Sequence, residues 1–291
     1  MHPVPVWRAA ALVILLLSLV SVSIEAQSPA AGDGQYADLP GVHLWYTDSG
    51  GSGIPVVFLH AATGSSLVWE HQVPAFKAAG YRVIAYDRRG FGRTTLDPGG
   101  PQPGTGADDL QNLISHLGIR RFHLVGTAAG GFVAFDYALS FPQSLRSLVV
   151  ANSIGGVTDG DFQKMGARLR PPQFNAMPAE IREVGPSYRA SNPEGTERWI
   201  ALEKVNRAPG PPAPAQTMRN QITFAELEKI GVPTLLLTGD ADMFAPPAVM
   251  KLFAARIKNS RTVTVPEAGH STYWEEPELF NGAILKFIRK H

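Results

Sequence analysis

The 291-residue chain contains no cysteine, which excludes disulfides, a thiolate nucleophile and thiolate metal ligation whatever the redox state of its compartment. Stability must then come from a packed core, and a hydrophobic content of 44% suffices for one large core. Neither charge is in excess. With 26 Lys and Arg against 25 Asp and Glu and no basic run, the chain lacks the electrostatic footprint of a nucleic-acid binder. No Gly-x-Gly-x-x-Gly follows a strand-like run, so no dinucleotide cofactor is indicated. The eight histidines are scattered without ligand spacing, and no metal site is expected. Internal repeats are absent as well. These exclusions leave a globular domain for which neither nucleic acid, a cofactor nor a metal is expected.

Residues 1–30 combine Arg8, an apolar stretch from Ala9 to Val20 and small residues around Ala26 and Ala30, the make-up of a removable export signal. The apolar run is shorter than the about 20 residues that a membrane-spanning helix needs. An uncleaved N-terminal anchor is the alternative. Either way the domain is expected to work outside the cytoplasm, periplasmic or secreted, with no stable membrane association after cleavage.

From about Gly41 onward short β-branched runs alternate with longer amphipathic stretches, the pattern of helices flanking a mostly parallel sheet in an α/β fold. Strands are expected at Ile54–His60, Tyr81–Asp87, Arg121–Gly126, Leu145–Asn152, Val232–Gly239 and Arg261–Gly269. Their near-continuous apolar character implies burial on both faces. Helices are expected at Gly106–Gly118, Ala128–Pro142, Ala248–Ile257 and Glu276–His291. Residues 153–230 break the alternation with Pro- and Gly-rich pieces around short helical stretches. They read as a helical cap inserted between two parts of the α/β core, 31–152 and 231–291.

In an open α/β sheet, functional groups gather beyond the carboxyl ends of the strands. After the run ending at Gly126, the stretch "GTAAGG" makes a sharp turn of small residues into a helix, the frame of a nucleophile elbow. Any tight strand-to-helix turn wants glycines, so the frame alone does not decide. Its apex, Ala128, carries no nucleophilic atom. The loop "HAATGSS" can present the N–H of Ala62, which with the N–H of Ala129 would form a two-donor oxyanion hole. In that loop His60 reads as a brace, and Ser65 and Ser66 as loop residues. Asp240 and Asp242 follow the run ending at Gly239, and His270 follows the last run. A buried carboxylate orienting an imidazole gives a base of defined tautomer, and elbow, acid, histidine is the chain order this arrangement requires. Trp69, Phe244 and Trp274 flank these motifs and, with Ser153, are candidates for substrate contact, core packing being the ordinary role of such aromatics.

On "LHAATGSSLVWEHQVPAF", "VIAYDRRGFGRT", the elbow frame, "GDADMFAPP" and "EAGHSTYWEEPELF", the chain from about Gly41 to its C-terminus resembles the α/β-hydrolase superfamily. The nearest look is of the small, single-cap esterases, lactonases, C–C hydrolases and cofactor-free haloperoxidases. The resemblance implies Asp242 as the acid, at the end of Gly239-Asp240-Ala241-Asp242, His270 as the base, and Asp87 as a loop brace. The chain departs from it at Ala128, where members carry Ser, Cys or Asp, and at Ala61, where Gly is usual. Thr127 is a poor substitute, because the neighbouring elbow position points its side chain elsewhere. Three readings follow. A His270/Asp242 dyad could activate water or abstract a substrate proton, acting on a small, largely apolar ester, lactone or ketone-type molecule. Alternatively, a serine hydrolase has been inactivated by a serine-to-alanine change, or the fold serves as a non-catalytic ligand-binding protein. Retention of Asp242 and His270 in full sequence context favours the dyad.

Overall fold

The computed structural model describes residues 1–2, 34–208, 210 and 212–291; the expected export signal, Met1 and His2 apart, lies outside the described residues. Nine strands, β1 (Gln35–Leu39), β2 (Val42–Asp48), β3 (Pro55–Leu59), β4 (Arg82–Tyr86), β5 (Thr95–Leu96), β6 (Phe122–Thr127), β7 (Leu145–Ala151), β8 (Thr234–Gly239) and β9 (Ser260–Val265), form one sheet. Its order is β1-β2-β4-β3-β6-β7-β8-β9, with β5 paired to β2. Every pairing from β4 to β9 is parallel, and β2 is antiparallel to β1, β4 and β5.

Alternate residues of the central strands enter opposite core layers, Val57, Leu59, Leu124 and Val150 on one face and Val56, Phe58, Val125 and Val149 on the other. Burial on both faces is why these strands read as apolar runs without alternation. The helices α1 (Gln72–Ala78), α2 (Gly106–His116) and α3 (Ala129–Ser140) come from the first half of the core. Between β7 and β8 the described residues form five α-helices, α4 (Gly160–Leu169), α5 (Ala179–Glu183), α6 (Pro186–Ser191), α7 (Pro193–Lys204) and α8 (Phe224–Leu227). The remaining helices are α9 (Pro247–Ala254), α10 (Thr272–Glu275) and α11 (Pro277–Ile288). Apolar residues of α2, α3 and α9 fill one core layer, and those of α1 and α11 fill the other.

Two differences from the sequence reading have plain causes. The last parallel strand ends at Val265 and not at Gly269, because Pro266 cannot donate to a ladder and Glu267 takes a positive φ of 59°. The hairpin β1–β2 lies outside the six expected strands. It is an antiparallel edge whose buried Val42, Leu44 and Tyr46 alternate with more exposed residues, a weaker signal than a continuous apolar run.

The turn from β6 into α3 is a tight junction of the core. A Cβ on Gly126 would stand 2.5 Å from the Gly130 carbonyl oxygen, and one on Gly130 would stand 2.3 Å from the Leu59 carbonyl oxygen. Three backbones therefore approach closer than any side chain allows. Gly130→Ala is expected to destabilise the fold by ~1–3 kcal/mol through this overpacking. A urea midpoint equal to that of the parent protein would refute the constraint.

Candidate active site

Beyond the carboxyl ends of β3, β6, β7, β8 and β9, five loops meet around one cavity of about 420 Å³. Ala128 stands at the apex between β6 and α3 with φ 49° and ψ −117°. A non-glycine residue held in that region stores about 1–3 kcal/mol of backbone strain, which surrounding contacts must enforce. They do so from below: the Ser153 hydroxyl donates to the Ala128 carbonyl at 2.6 Å and accepts the Gly155 N–H at 3.0 Å. The Ala128 N–H in turn donates to the Ala151 carbonyl at 3.0 Å. The Ala128 methyl is left at the cavity floor.

His270 reaches the same cavity from the loop after β9, with Nδ1 2.9 Å from both carboxylate oxygens of Asp242. Asp242 is fully engaged. Its Oδ1 accepts the N–H groups of Phe244 at 2.7 Å and Ala245 at 3.0 Å, and its Oδ2 accepts Asn152 Nδ2 at 3.0 Å and Thr238 Oγ1 at 3.2 Å. Burial opposes ionisation of Asp242, but the adjacent imidazole and these donors outweigh it and hold the carboxyl below its usual range. Burial likewise opposes the imidazolium of His270, yet Asp242, Glu183 and Glu275 outweigh it and raise its pKa. Asp240 lies at the surface, where its Oδ1 accepts the Glu267 N–H at 2.8 Å.

Ala62 and Ala129 both line the cavity, and among the described residues neither N–H donates a hydrogen bond within the chain. Two loop braces stand behind them. Asp87 accepts the N–H groups of Ser66 at 2.6 Å and Arg93 at 2.9 Å. His60 donates from Nδ1 to the Ala61 carbonyl at 2.7 Å and accepts the Arg88 N–H on Nε2 at 3.1 Å. Accepting on one nitrogen requires the neutral ring, and burial together with the Arg88 charge keeps its pKa well below the ordinary histidine range. Ser65 caps a short 3-10 turn, Ser66–Trp69.

Of the four candidates for substrate contact, Phe244 faces the cavity, its ring 4.4 Å from that of His270. The other three expectations are corrected. Trp69 is fully buried between Phe58 and Tyr273, with ring centroids 4.9 and 5.1 Å away. Trp274 packs on His71 and donates its indole N–H to the Gly195 carbonyl at 3.0 Å. Ser153 is fully buried and occupied with the elbow backbone. Thr127 is also buried outside the cavity. The cavity wall is mixed in character: Phe132, Ile154 and Phe244 are joined by Arg182, Glu183, Glu203 and Arg207. A larger depression of about 710 Å³ beside β5 contains no base or acid among its described lining residues, Arg207 being its only charged one.

Sequence reasoning missed three residues. Asn152, with a positive φ of 49°, donates to Asp242, to the Gly269 carbonyl at 3.1 Å and to Thr272 Oγ1 at 2.9 Å, locking the acid to the histidine loop. Its position just past a strand end was a readable signal. Glu183, the last residue of α5, places Oε2 3.9 Å from His270 Nε2. Glu275 accepts the N–H groups of Gly185 and Gly269 at 2.8 Å and of Ser271 at 3.1 Å. Glu275 follows His270 by five residues, inside the motif already quoted, whereas Glu183 is brought to the histidine only by the tertiary structure.

The family model described as alpha/beta hydrolase fold matches residues 54–277. The chain is 30% identical over 260 residues, 85% of its length and 98% of the relative's, to BpoC of Mycobacterium tuberculosis, whose name assigns it provisionally as a non-heme bromoperoxidase. It is 28% identical over 285 residues to a 2-hydroxy-6-oxononadienedioate/2-hydroxy-6-oxononatrienedioate hydrolase of Burkholderia vietnamiensis, covering 86% of this chain and 92% of that one. A thermophilic esterase from Thermogutta terrifontis superposes with a TM-score of 0.70 at 28% identity, over 88% of this chain and 97% of the esterase.

Proposed function

Since the chain belongs to the α/β-hydrolase fold family, we propose that it is a hydrolase-like enzyme that attacks a small carbonyl substrate with water activated by His270 and Asp242. What carries this reading is the retention, around an apex without a nucleophile, of an imidazole 2.9 Å from a buried and fully hydrogen-bonded carboxylate. A protein that only bound ligand would have no use for that pair. In the reaction, Asp242 fixes the proton on Nδ1 of His270 and leaves Nε2 free to accept one. The substrate carbonyl oxygen accepts the N–H groups of Ala62 and Ala129, which stabilise the charge that develops as water adds to the carbonyl carbon. The ester, lactone and ketone-type classes all pass through such an oxyanion. Phe132, Ile154 and Phe244 would take an apolar part of the substrate, and the arginines of the cap wall a polar end.

Turnover of a panel of esters, lactones and diketones tests the reading, together with a serine-directed phosphonate. Slow hydrolysis of at least one class without phosphonate labelling is expected, because the elbow lacks a hydroxyl. A covalent adduct on Thr127 or Ser153, or no turnover of any class, would overturn it. The active form carries neutral His270, whose pKa is raised above the ordinary 6.5. The rate should therefore be full above that raised value and be lost as pH falls through it. A rate that persists unchanged well below pH 6 would contradict the imidazole base.

A further inference from the structure

A buried carboxylate faces the one nitrogen that the dyad leaves free. Glu183 is nearly as buried as His270, and its Oε2 lies 3.9 Å from Nε2. That is too far for a direct hydrogen bond, and it is a spacing that one water molecule can span by bonding to both atoms. Glu183 lines the cavity together with Ala128, Ala62 and Ala129. Among the described residues its carboxylate has no ion pair apart from that to His270; burial raises its pKa, opposed by the His270 and Arg182 charges and the Thr63 hydroxyl.

The position of Glu183 is set by backbone contacts on either side. The Ser271 N–H donates to the Glu183 carbonyl at 2.8 Å, and Glu275 holds the N–H groups of Gly185 and Gly269 at once. A Cβ on Gly269 would stand 2.5 Å from the Gly185 nitrogen, so the cap segment and the histidine loop touch backbone to backbone. The acid is thus registered to the base.

Building on the water-activation reading above, we propose that Glu183 is a catalytic residue that replaces the missing nucleophile by holding the attacking water, jointly with His270 Nε2, over the Ala128 methyl. One O–H of the water donates to the Glu183 carboxylate, which aims the oxygen at the substrate carbonyl carbon. The other O–H breaks as the C–O bond forms, its proton passing to Nε2, and Glu183 with Asp242 offsets the imidazolium charge. When the tetrahedral intermediate collapses, the bond to the leaving group breaks and its freed atom, oxygen in an ester or lactone and carbon in a ketone-type substrate, takes the proton back from Nε2. Glu183 stays a carboxylate throughout, and the second hydrogen of the water remains on the product acid until lost to solvent. In an enzyme with a serine apex, the same space is filled by the hydroxyl.

Glu183→Gln keeps the shape and removes the charge. On whichever substrate class the parent turns over, kcat should fall ~10²-fold with KM little changed, the scale of losing one positioning and charge-stabilising contact, and Glu183→Asp should retain an intermediate rate. The His270 pKa, followed by NMR titration with Asp242, Glu275 and Arg182 unaltered around it, should fall in Glu183→Gln. In an Ala128→Ser background, Glu183→Gln should slow phosphonate labelling by less than it slows the parent's turnover, since there the hydroxyl attacks and only the offset of the imidazolium charge is lost. Retention of the parent kcat within ~3-fold by a folded Glu183→Gln protein overturns the proposal and leaves the dyad standing. Absence of turnover in the parent overturns both.

Discussion

Ala128→Ser is expected to convert the protein into a serine hydrolase that is labelled by phosphonates and cleaves activated esters such as p-nitrophenyl acetate. The turn asks nothing new of the backbone: φ 49° and ψ −117° are already imposed at position 128, and Gly126 and Gly130 already provide the close approach. The added Oγ would enter the space above the cavity floor beside His270, with the donors of Ala62 and Ala129 adjacent. The pieces other than the nucleophile account for only part of such an enzyme's rate, and removal of one member of an intact triad costs on the order of 10⁴-fold or more. Restoring the hydroxyl should recover several of those powers of ten. Stopped-flow detection of a p-nitrophenol burst measures it, because an acyl-enzyme must accumulate if the new hydroxyl attacks. A folded variant without burst or labelling would mean that the apex does not face the base or that the oxyanion hole is not formed. The site assignment would then be withdrawn. A weak gain accompanied by loss of the parent activity would instead mark a site adapted to work without the hydroxyl.

His270→Ala should abolish the native turnover, a loss of ~10²–10⁴-fold for a general base, and Asp242→Asn should come close to it. The asparagine leaves a neutral acceptor where a carboxylate now faces Nδ1 at 2.9 Å, so the ring loses both its fixed tautomer and the partner of its positive form. The two variants differ in one diagnostic way. In Asp242→Asn the acid limb of the pH profile should move down, since Asp242 is the strongest of the charges that raise the His270 pKa against the effect of burial. Full activity in His270→Ala would end the dyad reading. Circular dichroism of both variants controls for folding, which matters because Asp242 also binds Phe244, Ala245, Asn152 and Thr238.

The parallel core was legible because its strands are buried on both faces, so that "IPVVFLH" and "VPTLLLTG" stand out as apolar runs. The pairing of Asp242 with His270 was legible for a related reason: both follow strand ends, and strand ends converge. Trp69 and Trp274 show the limit of that logic. Proximity in sequence to a site motif says nothing about which side of the loop a ring occupies, and both rings turn into the interior. Glu183 shows the converse. It belongs to a five-residue helix in a segment of irregular composition, 87 residues before His270 in the chain, and no periodicity relates the two. Charged cavity residues such as Arg182 and Arg207 escaped for the same reason.

Glu275 has a bearing on how the segment between β7 and β8 is held. Its carboxyl is pushed up to about 7 by burial, although three N–H groups donate to it. Drawing Gly185 away from the histidine loop would strip that buried group of the Gly185 N–H and part the backbone contact between Gly185 and Gly269, an uncompensated loss of about 1–3 kcal/mol or more. Glu183, two residues earlier in the chain, is moored by the same fastening, and its spacing from His270 lasts as long as that fastening holds.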